Sequence, residues 1–147
     1  MYQMKIAEIK VSYSVKSKSK IKIENSQNAF QVLADSWDKD TIELQEEFKL
    51  LILNRNNCVL GTYSVSKGGT ACAVVDPKLV FSVALKCNAS SLIFAHNHPS
   101  GNLKPSPADI KLTARLTKGA KLLDISVIDH IILSKYGYYS FSDDGEL

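Results

Sequence analysis

The run SSLIFAHNHPSGNLKPSPADIKLTARL, which begins at Ser90, constrains this chain more than any other stretch. An apolar strand enters it, and Pro99 ends the strand because proline has no N–H to offer a ladder. Gly101 and Pro105 then punctuate a loop. Ser106-Pro107-Ala108-Asp109 opens a helix, with serine at the N-cap, proline at the first helical position and an acid near the positive end of the helix dipole. Residues two apart in a strand point to one face, so His96 and His98 aim side by side from the strand end. Asp109 lies in the first turn of the helix and reaches the imidazoles if the loop folds back over the strand. Two imidazole nitrogens and one carboxylate oxygen make three protein ligands, the number that leaves zinc a fourth position for water in catalytic sites. Capping alone also explains Ser106 and Asp109, and histidines at a strand end can be polar filler at a solvated rim. The spacing by itself leaves both readings open.

A candidate base lies upstream, in EEFKLLILN. One face of that strand carries Glu46, Phe48, Leu50 and Ile52, and the other carries Glu47, Lys49, Leu51 and Leu53. Glu47 is expected to pair with Lys49 on the half-polar face. Glu46 leads the apolar face, where burial raises a carboxyl pKa and a metal with its water would make the group useful as a general base. A solvated glutamate at a strand start is the plain alternative.

The order of the other elements argues for a mixed sheet flanked by helices. Residues 4–23 alternate through MKIAEIKVSYSV, the basic turn KSKSK and IKIE, the pattern of a short strand or hairpin. SQNAFQVLADSW reads as a helix capped by Ser26, and EEFKLLILN with CVLGTYSVS as a hairpin turned by NRNN. Gly68 and Gly69 break the pattern before ACAVV. Asp76 caps a helix with Pro77 at its first position, and that helix has only a narrow polar stripe of Lys78, Ser82 and Lys86, so it is expected to pack on most sides. LLDISVIDHIILS and YGYYSFSD close the chain as a hairpin. On an alternating strand His130 shares a face with Ile128 and Ile132, which makes it a packed or second-shell histidine rather than a ligand. Asn97 points away from both neighbouring histidines. The expected division is an N-terminal extension over residues 1–25 and one domain over 26–147.

Composition excludes several classes. At 147 residues the chain has room for one full domain, and 45% hydrophobic with 22% charged residues is ordinary for a globular protein. The net charge of +3 is too small to argue for nucleic acid. Cys58, Cys72 and Cys87 are odd in number and lack a C-x-x-C spacing, which fits reduced thiols in a cytoplasmic protein. The N-terminus lacks a signal-peptide core, and no apolar run is long enough to span a bilayer. An HNH nuclease would need a second acidic ligand cluster, and a zinc deaminase would need H-x-E with P-C-x-x-C.

His96, His98, Ser106 and Asp109 stand in the H-x-H-x7-S-x2-D spacing of the JAMM (MPN-type) metalloproteases, and HNHPSGNLKPSPADIKLT resembles the bacterial RadC-like branch of that family. The likeness extends over LQEEFKLLILNRNNCVLG and KLLDISVIDHIIL, from about residue 26 onward. It implies an α/β fold, a cytidine-deaminase-like α/β/α sandwich. It also implies one Zn2+ per chain, held by His96, His98 and Asp109 with water as the fourth ligand. Glu46 would take the water's proton, the hydroxide would attack an amide carbonyl, and Ser106 would donate a hydrogen bond to the oxyanion. Longer RadC-like proteins carry a helix-hairpin-helix segment in front that this chain lacks, which weakens an inherited DNA-repair role. The substrate is expected to be a peptide or protein of unknown identity, with no membrane partner, and a homo-oligomer is compatible with the reading. The alternative is a DNA-associated, non-catalytic module, whose weak nucleic-acid contact would come from Lys111, Arg115 and Lys118.

Overall fold

A computed structural model describes residues 3–15, 20–68 and 74–147. Lys16 to Ser19 of the basic turn, Gly69, and Cys72 with its neighbours in ACAVV lie outside the described residues. The elements follow in the order α1 (Ser26–Ser36), β1 (Glu47–Leu53), β2 (Val59–Lys67), α2 (Pro77–Lys86), β3 (Ser91–Asn97), α3 (Pro107–Leu122), β4 (Ser126–Leu133) and β5 (Tyr138–Ser140). The strands form a five-stranded sheet in the order β2-β1-β3-β4-β5. β3 and β4 run parallel, and every other neighbouring pair is antiparallel. This is a mixed sheet flanked by helices, an α/β fold.

Two apolar cores cover the two faces. Ala29, Leu33 and Trp37 from α1 and its C-cap pack on Leu51, Leu53, Ile93, Ala95, Ile131 and Leu133. Val80 and Ala84 of α2 with Leu116 and Ala120 of α3 pack on Phe48, Leu50, Ile52, Leu92 and Phe94. Each fully buried Leu or Phe contributes roughly 1.5–3 kcal/mol, so β1 and β3, covered on both sides, are the rigid centre from which side chains can be aimed.

The hairpin of β1 and β2 forms as the alternation predicts, with Asn57 in the left-handed region at φ 57° in its turn. Three local expectations are corrected. Asn25, not Ser26, caps α1 by accepting from the Asn28 N–H at 2.9 Å, while the Ser26 hydroxyl donates to Asp143 across the fold. Residues 3–15 enter no strand, and Met4, Ile6, Ile9 and Val11 are exposed. The extension's one described pairing is Lys22 with Cys58. Alternation gives a segment the capacity to bury one face, but a strand also needs a partner for its backbone. α2 packs on most sides as expected, with Val80 and Ala84 buried, Leu79, Phe81 and Val83 half-buried and the Phe81 ring against Gly119 of α3; Leu85 is the one apolar residue exposed beside the polar stripe of Lys78, Ser82 and Lys86.

The third correction concerns β4. Its register against β3 shifts after Val127, so that Asp129 pairs with Ile93 and His130 with Phe94, leaving Ile128 as an extra residue. Val127 packs in the core beneath α2 and α3, whereas Ile128 packs in the α1 core. The irregularity turns His130 to the side of Phe94 and His96, sharing a face with Ile132 but not with Ile128.

Candidate metal centre

His96 is the sixth residue of β3, pairs with Phe48 of β1, and faces α3. His98 follows the strand end, its N–H donating to the Leu133 carbonyl at 2.9 Å. The loop then turns sharply, with Gly101 at φ +85°, a conformation that a Cβ would strain. The turn brings the Asn102 carbonyl to 2.6 Å from His98 Nδ1. A carbonyl can only accept, so Nδ1 carries the proton and Nε2 is left with its lone pair. Ser106 caps α3 by accepting from the Asp109 N–H at 3.1 Å, and Asp109 Oδ2 accepts from the Ser106 N–H at 2.8 Å. This capping box aims the carboxylate at both imidazoles.

His96 Nε2 lies 3.0 Å from His98 Nε2 and 3.3 Å from Asp109 Oδ1, and His98 Nε2 lies 3.3 Å from Asp109 Oδ2. Tetrahedral zinc with bonds of about 2.0–2.1 Å sets its ligand atoms roughly 3.3 Å apart. Two imidazole nitrogens this close to each other and to a carboxylate need a cation or a shared proton between them. The donor set therefore fits a metal ion, and one ligand-type atom each from Glu46, His96, His98 and Asp109 falls within 4.8 Å of the others.

Glu46 sits just ahead of β1, its carbonyl accepting from the Gly68 N–H at 2.7 Å, with Oε1 3.9 Å from His96 Nε2. Burial pushes its carboxyl above the ordinary range, against the opposing pull of His96 and His98. The hydrogen bond to Asp109 raises His98. Asp109 is itself pushed up by burial, but pairing with His96 and His98, which donate to it only as protonated rings, outweighs this and holds it well below the usual carboxylate range. Burial holds His130 well below the ordinary histidine range, so this ring is neutral at neutral pH.

All five residues singled out by spacing and face arguments thus stand at one end of β1 and β3. The expected pairing of Glu47 with Lys49 does not form. Glu47 accepts from the Ser64 hydroxyl, while Lys49 Nζ donates to the Ser36 carbonyl at 3.1 Å and lies 4.6 Å from the centre of the Trp37 ring. Neighbouring elements close over this face of β1 and supply nearer partners than the next residue but one. Sequence reasoning also missed what Asn97 does. It points away from the histidines as expected, and it is wholly buried. Its Nδ2 donates to the carbonyls of Ile42 at 2.8 Å and Gln45 at 2.9 Å, and its Oδ1 accepts from the Glu47 N–H at 2.7 Å. These bonds fasten the segment that carries Glu46 to the strand that carries His96. The available signal was a lone amide ending an apolar strand, where it must be paired.

Cys58 is buried and Cys87 half-buried, both free thiols. Among the described residues no helix is long and apolar enough to cross a membrane. A family model described as "RadC-like JAB domain" matches residues 23–146. A UPF0758 protein of Flavobacterium johnsoniae is 40% identical over 124 residues, covering 84% of this chain and 53% of that protein. One from Trichodesmium erythraeum is 41% identical over 104 residues, covering 70% and 43%. One from Aquifex aeolicus is 38% identical over 130 residues, covering 88% and 54%. The chain spans about half the length of these curated relatives.

Proposed function

Because the chain belongs to the family of RadC-like JAB domains, we propose that it is a zinc-dependent hydrolase acting on a peptide or isopeptide amide. The observation that carries this reading is a half-buried carboxylate, Glu46, whose Oε1 lies 3.9 Å from His96 Nε2, beside the place where two histidines and an aspartate converge. His96, His98 and Asp109 hold the metal. When bound, zinc supplies a Lewis acid and brings the pKa of a water towards about 7. Glu46 takes a proton from the attacking water and returns it to the leaving amine. Burial raises this carboxyl, which makes it a stronger base than an exposed glutamate and suits it to take up a proton. The Ser106 Oγ accepts from the Asp109 N–H and so keeps its own proton free for the oxyanion that forms on the carbonyl.

The first test is elemental mass analysis of tag-free protein beside His98→Ala. About one zinc per chain, lost in the variant, is expected from three protein ligands. A wild-type chain that takes up no zinc during refolding overturns the reading. Peptide and isopeptide screens then use Glu46→Gln as the inactive control.

One observation favours a second reading, a DNA-associated module without catalysis. Lys111, Arg115 and Lys118 are exposed along α3 and form no ion pair among the described residues. That reading predicts affinity for duplex DNA that falls steeply with salt and survives Glu46→Gln.

A further inference from the structure

Behind His96 lies a second imidazole that the chemistry above does not use. His130 is wholly buried, stacked on Phe141 at 4.7 Å between ring centres and edge-on to Phe48 and Phe94. Its Nε2 lies 2.7 Å from His96 Nδ1, and its Nδ1 lies 2.6 Å from the hydroxyl oxygen of Thr113. Thr113 Oγ1 lies 2.7 Å from the carbonyl oxygen of Asp109, one helical turn back.

These contacts admit one order of protons for a neutral ring. The Asp109 carbonyl can only accept, so the Thr113 hydroxyl donates to it and turns its oxygen towards His130. His130 Nδ1 must then carry the proton, which leaves Nε2 as an acceptor. His96 Nδ1 donates to that acceptor, and the lone pair of His96 Nε2 is aimed at His98 and Asp109. His98 obtains the same tautomer from a local carbonyl, that of Asn102, whereas among the described residues no loop carbonyl reaches His96 inside its strand.

We propose that Thr113 and His130 are positioning residues, a proton-ordered chain anchored on the Asp109 carbonyl that holds His96 in its Nδ1–H tautomer for metal binding. Asp109 therefore contributes twice, by its carboxylate as a ligand and by its carbonyl as the anchor of the histidine beside it. The inference rests on the metal-centre reading of the previous subsection and adds the two residues that order its most buried ligand.

Two measurements on the full chain test it. Long-range nitrogen–proton correlation spectra of the zinc-loaded protein are expected to show His130 protonated at Nδ1 and bare at Nε2; the opposite tautomer overturns the proposal. Zinc affinity, read by competition with a chromogenic chelator, is expected to fall about tenfold in Thr113→Val and to recover to within about twofold of wild type in Thr113→Ser, a magnitude usual for groups that orient metal ligands. Valine keeps the shape of threonine and removes only the hydroxyl, so unchanged affinity there, with zinc bound normally by wild type, overturns the chain alone. A wild-type protein that binds no zinc overturns both this proposal and the metal centre. Should Thr113→Val fail to fold, the tautomer of His130 in the wild-type protein decides.

Discussion

Where β1 and β3 end side by side, the two faces of the sheet bury polar groups in opposite ways. On the α1 face, Asn97 is paired with two carbonyls and one N–H, Glu47 with the Ser64 hydroxyl, and Lys49 with the Ser36 carbonyl. On the α3 face, His96, His98, Asp109 and Glu46 turn ligand atoms towards one another. A polar group paired with a donor or acceptor of the scaffold fixes geometry, whereas convergent lone pairs oppose one another until a cation or proton lies between them. The difference separates scaffold from chemistry more sharply than cavity size does. A hollow of about 720 Å³ at the other end of the sheet, lined by Arg55, Asn88 and Asp124, holds no such convergence among the described residues.

The comparison predicts that variants on the convergent face lose activity with little loss of stability, and that variants on the paired face lose stability, with activity falling only as far as the site they support loosens. The largest effect is expected for Glu46→Gln, which should slow turnover of any amide substrate found by about 100- to 10,000-fold while zinc content and urea midpoint stay at wild-type values. Loss of zinc from that variant would make Glu46 a ligand instead of a base.

On the paired face, Asn97→Ala should lower unfolding free energy by about 3 kcal/mol in urea titrations, because two backbone carbonyls and an N–H lose their buried partner. The Glu46 segment should loosen with it, so turnover falls as well. Unaltered stability would remove Asn97 from the scaffold.

Ser106→Ala cuts across the division, since the residue belongs to both classes. Loss of the cap should cost about 1 kcal/mol of stability, and loss of an oxyanion donor should reduce turnover by about 100-fold. A stability change with no change in turnover would assign Ser106 to the helix alone.

The smallest effect concerns Asp129, at the far edge of the α1 face. Burial raises its carboxyl above 3.8, against hydrogen bonds from the Ser140 hydroxyl and the N–H groups of Ser142 and His130. A raised native pKa means that the folded state binds a proton the unfolded chain has already released. This contribution to stability is full below 3.8 and is lost as pH rises through the native value. In Asp129→Asn the amide can meet the same partners without titrating, so its stability relative to wild type should rise from pH 3 to neutrality and then level off. Parallel urea titrations across that range check the sign; curves of equal slope would show that the buried carboxyl is not shifted.

Much of this was legible in the chain itself, since the apolar run into H-x-H, the proline stop and the capping box are local features with local causes. They determine that β3 ends at the histidines and that Asp109 opens α3. The two-residue period of a strand puts Glu46 on the face of Phe48, and the same period puts Asn97 opposite the histidines. What the period could not supply was the orientation of His130. A strict alternation would have grouped it with Ile128, and one extra residue in β4 turned it towards His96 instead. A bulge arises from how a strand meets its neighbour, and no spacing within the strand records it. The partners of Glu47, Lys49 and Asn97 were hidden for the same reason. Each is paired by a group distant in sequence or brought close only by tertiary packing, because a buried polar side chain bonds to whatever the finished fold sets within about 3 Å. Local chemistry thus determined which residues carry ligand atoms, and the packing of β4 and α3 against the sheet decided which of those atoms meet and in which protonation they face each other.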